Sequence, residues 1–226
     1  MSEPFAGPRR ASTWERWLPL AGVAAVVLWV TAFIVQGESP DPFEASAREW
    51  ITYVSDNEGQ ILASRLLTLL GVLLFIWFLG TLRTALRAAE GEPGPWAAIA
   101  FGSGIALTLL LFAATTPLLA AAATSGAVEA GAAQALAVSE IGFFYGAEVA
   151  AASLLIATGL LALRTGVLPV RLGWASFVIA LLLLIVDTPI GFIAFLLGFQ
   201  LWVIIVSVLL SLRRRGAARA LLTRAT

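Results

Sequence analysis

The sequence predicts an all-α polytopic membrane protein with six transmembrane helices. Of its 226 residues, 60% are hydrophobic and 12% are charged, whereas soluble proteins carry about 25% charged residues. Mean hydropathy is +0.93. The apolar residues form continuous runs, close to the roughly 20 residues that a helix needs to cross a bilayer. These observations exclude almost any soluble fold and predict a single transmembrane domain over residues 1–226.

Six segments are long and apolar enough to be transmembrane helices. Backbone polar groups cannot stay unpaired in lipid, so a spanning segment must be a helix or part of a closed barrel. A barrel strand alternates apolar and polar residues over about ten positions, and the apolar runs at 69–79 and 179–186 do not alternate. The predicted spans cover approximately residues 18–36, 61–82, 97–121, 141–163, 167–186 and 190–212.

The arginines predict the orientation of these helices. With the N-terminus in the cytoplasm, twelve of the arginines lie inside, and only Arg48 and Arg65 lie outside. Such an excess on the cytoplasmic side is typical of membrane proteins, so both termini are predicted to be cytoplasmic. The apolar run at 18–36 is longer than the hydrophobic region of a secretory signal and lacks a small-residue cleavage site. We therefore expect this first run to remain as a membrane anchor.

The longest connection, residues 37–60, is predicted to lie outside and to contain a short amphipathic helix between the first and second spans. Asp41 and Glu44 have the spacing of a capping box, and Pro42 suits the first position of a helix. The apolar residues that follow recur at helical spacing. We expect this helix to lie along the membrane or cap the bundle; the alternative is a partner-docking or gating element.

Three residue types that carry much of protein chemistry are absent, because the chain has no histidine, cysteine or lysine. Common ligands of zinc, copper, haem and iron–sulfur clusters are therefore missing, and no Schiff base can form. No phosphate-binding motif, Ser–His–Asp triad or two-aspartate protease motif is present. The sequence thus predicts no catalytic residue, metal site or cofactor, and disfavours an enzyme. The expected partners are the lipid bilayer and either another membrane protein or further copies of the chain, but not nucleic acid.

Several polar side chains fall inside the predicted spans, where an ionisable group costs about 2.5–3.5 kcal/mol at the helix centre. Glu148 lies seven residues past Ile141, about 10 Å along the fourth span. Arg65, about 6 Å deep in the second span, is its predicted partner. With six other residues they are predicted to form a polar pocket that opens outward. The six others are Glu140, Asp187, Gln200, Tyr145, Thr115 and Thr116.

Two interpretations of this pocket are open. Ionisable residues inside a membrane favour a functional site, which here would be a transport or ligand site with Glu148 as the titrating group. The structural interpretation is an Arg65–Glu148 pair that ties the second and fourth helices together.

Two short motifs stand in the last third of the chain, Leu-Pro-Val-Arg-Leu-Gly-Trp at 168–174 and Phe-Gln-Leu-Trp-Val at 199–203. This part resembles uncharacterised multi-pass membrane proteins of high-GC actinobacteria. The resemblance implies a bacterial inner (plasma) membrane protein and supplies no activity or site residue.

The sequence as a whole favours a small transporter or channel-like protein. The alternatives are a non-catalytic accessory or structural subunit of a membrane complex and, third, a lipid-acting intramembrane enzyme.

Overall fold

The protein is a bundle of helices in the computed structural model, which describes residues 17–41, 43–91, 94–124, 127–185 and 188–223, with side chains up to 213. No residue in these ranges lies in a β-strand, so the all-α prediction is confirmed. The helices are α1 (Ala21–Gln36, after a 3-10 turn at Leu18–Leu20), α2 (Ala47–Asp56), α3 (Glu58–Glu90), α4 (Trp96–Ala123), α5 (Ala130–Thr165), α6 (Val170–Leu183), α7 (Pro189–Ile193) and α8 (Gln200–Thr223). A π-helical stretch, Ala194–Phe199, joins α7 to α8 without a break.

Five helical segments of the described chain are long and apolar enough to cross a bilayer. They are Leu18–Gln36, Glu58–Glu90, Trp96–Ala123, Ala130–Thr165 and Pro189–Arg213, and they coincide with five of the six predicted spans. The remaining span, 167–186, falls on α6, whose 14 residues extend about 21 Å. This is less than the roughly 30 Å thickness of a hydrocarbon core. A membrane-embedded helical protein is thus supported, whereas the sixth span and the cytoplasmic termini stay predictions.

Two of the helices are longer than their predicted spans. α3 has 33 residues and α5 has 36, which gives them lengths of about 50 and 54 Å. For residues 124–137 the sequence left a loop and a helical extension as alternatives, and from Ala130 onward the structure shows the extension. Ala133 and Ala137 of this extension are buried beneath α2, so tertiary packing stabilises a stretch whose own hydropathy is low.

The core is built around α5 and a group of aromatic rings. α5 packs against α4, α6 and α2. Of the most apolar 18-residue segment of α5, 61% is buried. Beside it, the ring of Phe75 lies 5.3 Å from Trp29, 5.5 Å from Phe78 and 6.0 Å from Phe199, centroid to centroid. These rings connect α1, α3 and the π-helical stretch. Close packing of this kind holds helices together in lipid, where the hydrophobic effect gives little help.

Helix α2 begins with a capping box formed by Ser46 and Glu49. The Ser46 hydroxyl accepts from the backbone N–H of Glu49 at 3.3 Å, and Glu49 Oε2 accepts from the backbone N–H of Ser46 at 2.7 Å. The predicted box at Asp41 and Glu44 is wrong. Asp41 Oδ1 instead accepts from the next backbone N–H groups, including that of Glu44 at 3.1 Å, and so makes an Asx turn before the helix. Pro42 lies outside the described residues.

The apolar face of α2 covers one end of the bundle, which we call the α2 end. Trp50 and Val54 are buried there with Ile61 of α3, Leu118 of α4 and Ala133 of α5. The structure thus gives α2 the capping role, the first of the two roles expected for it. Since its apolar face is occupied by its own bundle, a partner could contact only the polar face.

The capping box predicts a pH dependence of α2. Hydrogen bonds from Ser46, first from its backbone N–H and then from its hydroxyl, lower the pKa of Glu49. The box therefore stabilises α2 fully above the ordinary pKa of glutamate, and this contribution is lost as pH falls through the lowered pKa of the folded state. We expect the amides of 47–56 to lose protection from hydrogen exchange on acidification, as measured by mass spectrometry.

The matched variants are Glu49→Ala and Glu44→Ala, since both glutamates are exposed. The first should lower protection at neutral pH and flatten its pH dependence, and the second should change neither. An unchanged pH dependence in Glu49→Ala would show that another group controls α2.

Candidate functional site

Arg65 of α3 and Glu140 of α5 form a bidentate ion pair near the α2 end. Arg65 Nη1 lies 2.7 Å from Glu140 Oε1, and Nη2 donates to Oε2 at 3.1 Å. Only 8% of the Arg65 side chain and 20% of the Glu140 side chain are exposed. Paired, nearly parallel hydrogen bonds are the strong form of an arginine–carboxylate contact. The predicted Arg65–Glu148 pair is wrong, because Arg65 binds a carboxylate about 12 Å nearer the start of α5.

Tyr53 of α2 lies close enough to this ion pair for both of its charges to affect the pKa of the Tyr53 hydroxyl. Burial raises the pKa of the Tyr53 hydroxyl, and the positive charge of Arg65 opposes that rise. The Tyr53 hydroxyl and the ring N–H of Trp50, 5.7 Å away between ring centroids, are buried without a hydrogen-bond partner in the described chain. Sequence reasoning missed both residues, since their helical spacing predicts a buried face but not what that face contacts.

Glu148 lies in the middle of α5 and is 2% exposed. Its Oε2 atom is buried and has no hydrogen-bond partner among the residues described. Within the same residues the ion pairs are Arg65–Glu140 and Arg87–Glu90, so Glu148 has no arginine partner there. Burying a carboxyl group without a partner is costly. Glu148 therefore faces the protein interior, and its expected counter-charge, Arg65, pairs with Glu140 instead.

The Glu148 carboxyl group faces the connection between α6 and α7. The Ile185 carbonyl oxygen, just past the end of α6, accepts from the Thr188 hydroxyl at 2.6 Å. That hydroxyl in turn accepts from the backbone N–H of Gly191 at 3.2 Å and caps α7. A Cβ atom on Gly191 would lie 2.7 Å from the Ile185 oxygen and 3.5 Å from Glu148 Oε1. Glycine is thus required for the close approach of these three residues.

The helix that starts at α7 is irregular immediately beyond this point. Residues 194–199 form a π-helix, a conformation that is rare and occurs frequently at functional sites. The ring of Phe195 in this stretch lies 4.9 Å, centroid to centroid, from the ring of Phe144 on α5. Phe144 is four residues before Glu148, a spacing that places both on one face of α5.

The other predicted site residues are only partly brought together. Thr115 and Thr116 donate to carbonyl oxygens of their own helix, those of Leu111 and Ala113. Gln200 is buried, and its Oε1 atom has no hydrogen-bond partner in the described part of the chain. Tyr145 is half-buried and lies three residues before Glu148, a spacing that makes the two neighbours on the helix surface. Asp187 lies outside the described residues.

Two pockets lie elsewhere on the bundle. One, of about 470 Å³, is lined by Arg83, Thr84, Arg87, Ala88 and Gly91 near the end of α3. The other, of about 320 Å³, lies between α4, α5 and Leu184. Neither includes Glu148 or Arg65, so the outward-opening pocket stays a prediction. No group of three histidine, cysteine or acidic side chains is placed to hold a metal ion in the ranges that the structure covers.

No known family model, curated protein or solved structure matches the chain. The resemblance to actinobacterial membrane proteins accordingly stays a prediction.

Proposed function

We propose that this integral membrane protein transfers a small cation, namely the proton, across the bilayer. Glu148 is the group that binds and releases it. The observation that carries the proposal is the buried Glu148 carboxyl group, which among the described residues has an unpartnered oxygen and no arginine partner. In this setting the protonated carboxyl group is neutral. The ionised carboxylate is strongly disfavoured unless a cation takes the place of the proton.

The ion pair at the α2 end supports this assignment. A structural lock was the alternative explanation of Glu148, and that role belongs to Arg65 and Glu140, which form a bidentate pair. Within the part of the chain that the structure describes, no charged partner accounts for Glu148, the second glutamate in α5. Buried carboxyl groups that lack such partners mark ion pathways and proton relays in membrane proteins.

The irregular helix near Glu148 supports a transport role as well. Residues 194–199 form a π-helix, a conformation that occurs frequently at functional sites. The helix that leads into it, α7, starts beside the carboxyl group with Thr188 as its cap. In our proposal α6 and the following connection together make the sixth crossing, with both termini in the cytoplasm of a bacterial cell.

Replacing Glu148 with glutamine is expected to abolish proton transfer. The amide keeps the size of the carboxyl group but cannot take up and release a proton near neutral pH. Purified protein in liposomes should dissipate an imposed proton gradient faster than protein-free liposomes, as reported by a pH-sensitive dye inside. Glu148→Gln should reduce the rate to that of protein-free liposomes while the protein still elutes as a folded species in gel filtration.

The matched control is Glu129→Gln, which makes the same chemical change at an exposed position at the start of α5. This variant should keep the wild-type rate. Proton transfer that persists in Glu148→Gln at the wild-type rate would overturn the proposal.

A further inference from the structure

We propose that the protein binds one anionic phospholipid at the end of the bundle opposite the α2 end. One acyl chain of this lipid lies in the apolar groove between α4, α5 and Leu184, and the headgroup phosphate binds Arg164 of α5. The inference does not depend on proton transfer through Glu148. In the proposed orientation the site faces the cytoplasmic leaflet, whose anionic lipids attract basic segments of membrane proteins.

The groove has the shape that an acyl chain requires. Its volume is about 320 Å³. Ala152 and Ala157 of α5 form part of its floor and are buried, whereas Ile99 of α4 and Leu184 stand at its rim and are 41% and 47% exposed. Because the floor is made of small side chains and the rim is exposed, the groove is open to the surrounding lipid.

The groove is also suited to an apolar occupant. None of its described lining residues is charged, and the hydroxyl group among them belongs to Ser153. This hydroxyl is hydrogen-bonded to that of Ser103 at 2.7 Å. A polar group that already has a partner can be covered by an apolar chain without the cost of leaving it unsatisfied.

The groove extends over the depth of one leaflet. Val149, at one end of it, lies 15 residues before Arg164 on α5, a distance of about 22 Å along the helix. Half of a bilayer, headgroups included, is about 20–22 Å thick. Trp96 lines the groove at its other end and contacts Arg164. A lipid with its phosphate at Arg164 would therefore have its chain in the groove as far as the middle of the bilayer.

Arg164 is positioned to bind a phosphate group. Its guanidinium carbon lies 5.4 Å from the centroid of the Trp96 ring, a cation–π contact that orients the side chain. Tryptophan is typical of the level of the membrane–water interface. Arg164 is exposed and has no hydrogen-bond or ion-pair partner among the described residues. Its five N–H donors are therefore available, and their planar arrangement matches the oxygen atoms of a phosphate.

Two more arginines flank the same connection between α5 and α6. Arg171 is exposed in the first turn of α6. Arg213 of α8 donates to the carbonyl oxygen of Gly166, two residues after Arg164, at 3.3 Å. Three positive charges around one short connection favour a lipid with a net negative charge over a zwitterionic lipid, although both contain a phosphate.

The acidic residue near this connection in the described chain is Glu90, which is already engaged. Its carboxylate oxygens accept from the backbone N–H groups of Trp96 at 2.6 Å and Ala97 at 3.0 Å. Glu90 thus caps the start of α4 and does not pair with Arg164. Glu3, Glu15 and Glu92 lie outside the described residues.

Binding is measured by native mass spectrometry of the purified, delipidated protein in detergent. The protein is titrated with phosphatidylglycerol and, separately, with phosphatidylcholine of the same acyl chains. We expect one tightly bound phosphatidylglycerol for each chain, with a dissociation constant at least tenfold lower than that of phosphatidylcholine.

Arg164→Gln tests the phosphate contact. One arginine near a lipid headgroup contributes about 1 kcal/mol, so this variant should bind phosphatidylglycerol about fivefold more weakly. Arg48→Gln is the matched control, because Arg48 is exposed on α2 at the other end of the bundle, and it should bind as the wild type does.

Ala157→Leu tests the groove by placing a larger side chain on its floor, and it should weaken binding about tenfold. The same change at Ala98, an exposed position of α4 outside the groove lining, should have no effect. If Ala157→Leu cannot be purified, glycerol phosphate and inorganic phosphate test the same point without a variant. Neither lacks the phosphate and both lack the chain, so neither should displace the lipid at millimolar concentration.

Equal affinity of the wild type for the two lipids, or an unchanged affinity in Arg164→Gln, would overturn the proposal. Displacement by glycerol phosphate or inorganic phosphate would overturn it as well, because the site would then bind the phosphate alone. The liposome assay of Glu148→Gln is unaffected by either result, so the proposed function is tested separately.

Discussion

Replacing Arg65 with methionine is expected to destabilise the protein by about 3–5 kcal/mol. Removing one member of a buried ion pair leaves the other charge without compensation, and losses of that size are typical. Here Arg65 is the bidentate partner of Glu140, so the variant would strand a carboxylate between α3 and α5. Thermal or denaturant unfolding in a mild detergent, followed by circular dichroism, measures the loss.

The double variant Arg65→Met/Glu140→Leu distinguishes a stranded charge from lost packing. Replacing both members of a buried pair by apolar residues is often neutral or stabilising, so the double variant should recover most of the stability. Arg48→Met is the matched control, because Arg48 is exposed on α2 and surface substitutions change stability by about 0.5 kcal/mol or less. Equal stability of Arg65→Met and the wild type would show that the pair contributes little.

The ion pair also shows what the sequence could not decide. Depth along a helix follows from the 1.5 Å rise per residue, and it places both Glu140 and Glu148 within reach of the α2-end half of α3. The partner of Arg65 depends in addition on the rotation and tilt of α3 against α5. Eight residues turn an α-helix by about 80°, so the two glutamates point in different directions. Only the packed structure selects Glu140.

The apolar runs were sufficient to predict most of the helices but not where they end. Apolar content marks the membrane-spanning part of α3 and α5, whereas the alanine-rich start of α5 is helical where α2 packs on it. The start of α2 illustrates a different limit. Asp41–Glu44 and Ser46–Glu49 both have a capping-box spacing, and the actual start places Trp50 and Val54 against the bundle. Burial, which the local pattern does not contain, decides between the two.

The sequence predicts a break between residues 186 and 190, but not that α6 ends at Leu183 or that this break lies beside Glu148. The apolar run continues past Leu183, yet α6 ends there, and the Thr188 hydroxyl donates a hydrogen bond to the Ile185 carbonyl. Gly191 was no more conspicuous than any other glycine in the chain. Its importance follows from the Ile185 and Glu148 oxygen atoms that approach it, and these belong to a different part of the sequence.

Replacing Phe75 with alanine is expected to destabilise the bundle by about 3–5 kcal/mol, as large-to-small substitutions of buried phenylalanine do. Phe75 is fully buried and its ring contacts those of Trp29, Phe78 and Phe199. Lipid chains do not reach this position, so the variant would leave a cavity and lose dispersion contacts on several sides. The loss is measured by the same unfolding experiment in detergent.

Phe112→Ala provides the matched control, because Phe112 of α4 is 50% exposed and detergent or lipid chains can fill the space that its ring leaves. Its loss should be about 0.5 kcal/mol or less. Phe75→Leu should fall between the two, since it retains part of the buried volume. If packing of these rings holds α1, α3 and the π-helical stretch together, the loss of stability should decrease in the order Phe75→Ala, Phe75→Leu, Phe112→Ala. Equal losses for the two alanine variants would mean that removal from water, rather than packing, controls the stability of the bundle.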